Sequence, residues 1–124
     1  MIIAIDFDGT VVEHEYPDIG AQVPHARRVI KRLAERNHKL ILYTMRSGDE
    51  LNDAVRYIKT VIEIDLYGVN ANPQQSEWTD SPKVYAEVYI DDAALGCPLI
   101  YPINKRPFVD WLKVEEQLIY RNIL

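Results

Sequence analysis

Four carboxylates stand where apolar runs end: Asp6 and Asp8 on either side of Phe7, after Met1 to Ile5, and the pair Asp91-Asp92 after Val88 to Ile90. Gathered at one rim they would repel one another strongly unless a cation sat among them. Hard oxygen donors with positions left for water favour Mg²⁺. Thr44 closes another apolar run, Arg46 lies just beyond it, and Lys83 precedes the run that ends at Asp91. Taken singly, each residue has an ordinary explanation: an Asp-Gly turn, a threonine closing a strand, a surface lysine, a helix-leading arginine. The chemistry requires all of them to converge.

Convergence depends on the elements between them. Met1 to Asp6 and Lys39 to Thr44 read as strands buried on both faces. Between them, Ala26, Val29, Ile30, Leu33 and Ala34 recur at helical spacing, which predicts a helix from Pro24 to about Asn37. Ser47-Gly-Asp-Glu50 is a capping-box pattern opening a helix that carries Leu51, Ala54, Val55, Ile58 and Ile62. Asp65 to Val69 makes a short third strand, and Asn70 to Thr79 a polar loop. Ser81-Pro82 reads as the cap and first turn of a short helix through Tyr85, ahead of a fourth strand, Val88 to Asp91. Pro98 to Tyr101 is a brief fifth strand, and a helix begun by Pro107 carries Phe108, Trp111, Leu112, Leu118 and Ile119 as its apolar stripe.

Alternation of strands and helices implies right-handed crossovers and an α/β fold. The expectation is a Rossmann-like three-layer α/β/α sandwich on a parallel sheet of about five strands. In such sheets ligands bind outside the carboxyl ends of the strands, near the point where strand order reverses. The motif residues fall at those ends.

Asp6-Phe-Asp8-Gly-Thr10 resembles the first motif of the haloacid dehalogenase (HAD) superfamily, D-x-D-G-T. The later motifs follow in family order: Thr44 ends the second strand, Lys83 precedes the fourth, and Asp91-Asp92 ends it. The resemblance runs from Met1 to about Tyr101, and it implies a Mg²⁺-dependent phosphatase. Asp6 would attack phosphorus to form an aspartyl-phosphate, and Asp8 would protonate the leaving oxygen and later activate water. Metal ligands would come from Asp6, the backbone carbonyl of Asp8, and Asp91, with Asp92 in support or exchanged with Asp91. Thr44 and Lys83 would bind the phosphoryl oxygens, with Arg46 added as a substrate contact. Family members carry a mobile hairpin after the first motif, here Glu13, His14, Glu15 and Tyr16, which would gate the site.

The 124 residues, 48% hydrophobic and 27% charged, suit a single domain spanning 1–124. Neither Val11 to Val23 nor Asn70 to Asp80 has room for an inserted cap domain, and the chain is similar to small capless (C0-type) members. Its site would be open to a bulky phosphorylated substrate or covered by another copy of the chain. A net charge of −5 argues against a nucleic-acid partner or an acidic membrane surface. The first residues lack the pattern of a secretory leader and no apolar run is long enough to span a bilayer, so the expected location is the cytoplasm. His14, His25 and His38 lack metal-site spacing and read as solvated, Asp110 as a helix-surface charge, and Cys97 as packing.

Two other readings remain. A phosphotransferase or phosphate-binding signalling protein with little turnover would use the same groups. A two-component receiver domain also combines an acidic pair, an aspartate, a threonine and a lysine, but orders them differently along its strands.

Overall fold

The computed structural model of the protein describes residues 1–124. Its centre is a parallel sheet of four strands, β1 (Ile2–Ile5), β2 (Lys39–Leu42), β3 (Gly68–Val69) and β4 (Val88–Ile90), in the order β3-β2-β1-β4. The connections from β1 to β2 and from β2 to β3 step the same way across the sheet. With right-handed crossovers, α1 (Ala26–Glu35) and α2 (Gly48–Tyr57) therefore lie on one face. The return from β3 to β4 passes back over two strands and must cross the other face. Strand order reverses beside β1, so the crevice for a ligand opens at the ends of β1 and β4.

The core follows this wiring. Ile3, Ile5, Leu40, Leu42, Val88 and Ile90 form one cluster with Val29, Ile30 and Leu33 of α1, Ala54 of α2, and Trp111, Val114 and Leu118 of α3 (Trp111–Tyr120). Each valine, leucine or isoleucine side chain of this cluster fully removed from water contributes about 1.5–3 kcal/mol before entropy is counted. The opposite face has a cluster of four, Ala4, Ile41, Val84 and Ala86, so irregular chain covers it where the three-layer expectation placed a helix.

Several expected elements differ. The fifth strand does not join the parallel sheet: β5 (Leu99–Ile100) pairs antiparallel with β6 (Phe108–Val109) in a separate ribbon. Residues 91–98 are too few for the dozen or so that a parallel crossover takes. The helix expected from Ser81 to Tyr85 is absent because the Gln75 side chain claims its backbone. Gln75 Nε2 donates to the carbonyls of Ser81 (3.1 Å) and Lys83 (2.6 Å), and its Oε1 accepts from the amide of Tyr85 (2.8 Å).

The first helix starts at Ala26, after His25 in a left-handed conformation (φ 66°). Ser47 stands at the N-cap of α2 without the expected side-chain cap bond, and α2 loosens into a π-helical turn at Ile58–Ile62. The last helix begins at Trp111, where Asp110 is the cap and accepts from the Lys113 amide at 3.2 Å, not a surface charge. Phe108 lies on β6, and Leu112 and Ile119 are exposed. No helix is long and apolar enough to cross a membrane.

Candidate active site at the ends of β1 and β4

Ile5 pairs with Ile90, so the next residues, Asp6 and Asp91, emerge side by side beyond the sheet. Asp92 joins them, and one carboxylate oxygen from each of the three lies within 4.8 Å of the others. Neither Asp6 nor Asp91 forms an ion pair with a basic side chain. The cost shows in their titration. Burial, then the charge of Asp91 and a hydrogen bond with Asp92, push Asp6 up to about 8, against the pull of the Thr10 hydroxyl. Burial pushes Asp91 up as well, with Asp92 adding to it and the Ala93 amide opposing. Three crowded oxygen donors, two of them with no basic partner, fit a small, hard divalent ion such as Mg²⁺. The backbone carbonyl of Asp8 accepts no hydrogen bond and is free to act as a further ligand.

The loop from Phe7 to Val12 holds this arrangement. Thr10, fully buried, donates from Oγ1 to Asp6 Oδ2 at 3.0 Å and accepts from the Asp92 amide at 3.2 Å, tying the two strand ends together. Its carbonyl accepts from Trp111 Nε1 at 2.7 Å, and the Val109 amide donates to the Gly9 carbonyl at 2.9 Å. The C-terminal ribbon and helix thereby brace the loop. Gly9 adopts φ +81°, and a Cβ there would collide with His14 Nε2 and Asp92 Oδ2.

His14 belongs to the site, contrary to its reading as a solvated residue: Nε2 lies 2.8 Å from Asp92 Oδ2 with little of either side chain exposed. A hairpin between Val12 and Gln22 brings it there. Nothing in histidine spacing signalled this, because the partner is a single carboxylate 78 residues away.

Asp8 is turned away from the other three. Both of its oxygens accept from Arg46, from Nε and from Nη2, each at 2.8 Å. Arg46 is 3% exposed. Its remaining donors reach the carbonyls of Pro17 (3.1 Å) and Asp18 (2.6 Å), and its guanidinium lies 5.0 Å from the Phe7 ring centroid and 5.2 Å from that of Tyr16. Arg46 is thus a buried clamp joining the motif loop to the hairpin, not an open contact for a phosphoryl group.

Thr44 sits at the end of β2 as expected, half-buried. Its amide donates to Asn70 Oδ1 at 2.8 Å, and its hydroxyl accepts from the Arg46 amide at 3.1 Å. Asn70, in a left-handed conformation (φ 51°), is a contributor that the sequence did not single out. Lys83 is exposed, makes no ion pair with the acids, and places Nζ 5.9 Å from the Tyr89 ring centroid. The structure thus gathers Asp6, Asp91, Asp92, Thr10 and His14, sets Asp8 with Arg46 beside them, and leaves Lys83 out of contact with the acids.

No family model and no curated protein matches the chain. A solved structure, that of a conserved protein coded by a locus from Bacteroides thetaiotaomicron, is similar to it at 34% sequence identity and a TM-score of 0.78. The match covers 98% of this chain and 91% of the Bacteroides one.

Proposed function

The chain belongs to the same family as the conserved Bacteroides thetaiotaomicron protein, and from the site that this fold carries we propose that it is a Mg²⁺-dependent phosphomonoester hydrolase of the HAD type. One observation carries the reading. Asp6, Asp91 and Asp92 crowd to within 4.8 Å at the switch point of the sheet, with no basic side chain paired to Asp6 or Asp91.

Mg²⁺, held by Asp6, the carbonyl of Asp8 and Asp91, with Asp92 beside them, would offset the charge of carboxylates and phosphate and polarise the phosphoryl group. Asp6 is the nucleophile. Its carboxylate must shed the proton that burial favours before it can attack phosphorus and displace the alcohol. The Thr10 hydroxyl fixes one of its oxygens at 3.0 Å and leaves the other to react. His14 and the Thr10 bond to its amide hold Asp92 in place. Thr44, with its hydroxyl proton uncommitted, stabilises a phosphoryl oxygen. Lys83 serves as a phosphate partner only by leaving Tyr89. Asp8, the acid and later the base, likewise has to exchange Arg46 for the leaving oxygen or the attacking water.

The Arg46 clamp favours a second reading. If Asp8 stays clamped, Asp6 accepts a phosphoryl group that water then removes slowly, and the protein is a phosphotransferase or a phosphate-holding signalling module. Hydrolysis of p-nitrophenyl phosphate with and without Mg²⁺, in wild type and Asp6→Asn, tests the phosphatase. Turnover that needs Mg²⁺ and vanishes in the variant is expected, and equal turnover in Asp6→Asn removes the nucleophile from the argument. A stoichiometric burst without further turnover selects the second reading.

A further inference from the structure

We infer that the sheet face next to the acids is a shelf for a flat aromatic ring in the alcohol portion of the substrate. The inference rests on the phosphomonoesterase reading and adds a substrate class to it: aryl or arylmethyl phosphates.

Strand register places the shelf. Ala4 pairs with Ile41 on one side and Tyr89 on the other, forming one row across β2, β1 and β4. Residues two further along each strand share that face. The next row on it is Tyr43, Asp6 and Asp91. A tyrosine therefore neighbours the nucleophile in its own row, and a second stands behind the metal-binding acid. Their backbones are two strand spacings (about 9.6 Å) apart across the sheet and two residues (about 6.6 Å) apart along it, yet their ring centroids are 6.3 Å apart. The rings lean together over β1, where Ala4 has no bulk to separate them.

These rings are not filling a core. Tyr43 is 36% and Tyr89 37% exposed, on a face whose buried cluster numbers four residues. Tyr89 is held rigid: its hydroxyl donates to the Val84 carbonyl at 2.6 Å and accepts from the Ala86 amide at 3.1 Å. The Tyr43 hydroxyl has no protein partner. Beyond Tyr89 the surface dips into a hollow of ≈ 300 Å³ lined by Trp78, Tyr85, Lys83 and Gln75. Trp78 meets Tyr85 edge to face at 5.6 Å, leaving Trp78 more than half exposed. Rigid, partly exposed rings offer stacking area at little entropic cost, and the hollow is at the lower end of the range for small-molecule pockets. Tyr43, the neighbour of Asp6 in its row, is thereby beside the ester of a phosphoryl group held at Asp6.

Benzyl phosphate and cyclohexylmethyl phosphate release primary alcohols of similar leaving ability but differ in flatness. Wild-type kcat/KM should favour the benzyl ester about three- to tenfold through KM, as expected for one aromatic contact. Tyr43→Ala should abolish the preference and Tyr43→Phe keep it. A wild-type ratio near one, or a preference that survives in Tyr43→Ala, overturns the shelf. Phenyl phosphate and a phosphotyrosine peptide, run alongside, tell a small ester from a protein side chain as the source of the ring: the source is the one whose KM Tyr43→Ala raises more. If neither these esters nor p-nitrophenyl phosphate turns over, the phosphatase reading fails by itself. Calorimetric binding of benzylphosphonate against cyclohexylmethylphosphonate then decides the shelf, with equal affinities rejecting it.

Discussion

Arg46 grips Asp8 with two parallel bonds of 2.8 Å, and the same guanidinium reaches the carbonyls of Pro17 and Asp18. One buried cation thus links the loop of the first motif to the hairpin over the site. Removing it leaves a carboxylate and two carbonyls short of donors in a poorly hydrated place. Arg46→Met should therefore cost about 3–5 kcal/mol in urea denaturation. Arg46→Lys, which supplies a point charge without the fork, should recover part of that. A loss under about 1 kcal/mol for Arg46→Met would show that the clamp is not a structural element.

The apo protein should lose stability as pH rises from about 4 to about 8. Asp6 releases its proton near 3.8 when unfolded and near 8 when folded, so across this interval the folded state holds the proton and the unfolded state does not. Stability falls with pH wherever the folded state binds more protons. Below the lower value the contribution is fully present; above the upper it is gone. Melting temperature measured in chelator over this range should decline, and Asp6→Asn should flatten the decline and melt higher at pH 8. Added Mg²⁺ should stabilise the wild type most at the alkaline end, where the carboxylates are free to bind it. A wild-type profile that matches Asp6→Asn would contradict the raised titration of Asp6.

The acid cluster was legible because each member follows an apolar β-branched run, and parallel strands carry their ends to a common edge. Lys83 shows what linear spacing misses. Ser81-Pro82 has the local signature of a helix start, but Gln75, whose amide spans three backbone groups, overrides it. The fifth strand failed for a related reason: its local pattern was sound, and chain length forbade the parallel pairing. The roles of Arg46 and His14 are not legible in the sequence because their partners, Asp8 and Asp92, are 38 and 78 residues away. Side-chain pairing over such separations leaves no periodic trace.

His14→Ala should weaken the site more than the fold. Its ring fixes Asp92 at 2.8 Å from a hairpin with few other ties to the acids. Support of this kind to a metal ligand is worth roughly 10–100-fold in metal affinity or activity. The Mg²⁺ concentration giving half-maximal activity should rise by about that factor, while the urea midpoint shifts little. An unchanged Mg²⁺ requirement would mean that Asp92 is held by the Thr10 bond alone.

Two glycines with left-handed backbones separate strain from collision. Gly48 (φ +56°) opens α2 with no atom within 4 Å of where a Cβ would lie, whereas at Gly9 (φ +81°) the Cβ would strike both His14 and Asp92. Gly48→Ala should then show backbone strain alone, about 1–2 kcal/mol, with activity retained. Gly9→Ala bears similar strain and must also push apart the pair that anchors Asp92. It should lose more stability than Gly48→Ala and, with the protein still folded by circular dichroism, should lose Mg²⁺-dependent activity and the Mg²⁺-induced rise in melting temperature together. If Gly9→Ala kept the metal response of wild type, the contact between His14 and Asp92 would have no part in organising the acids.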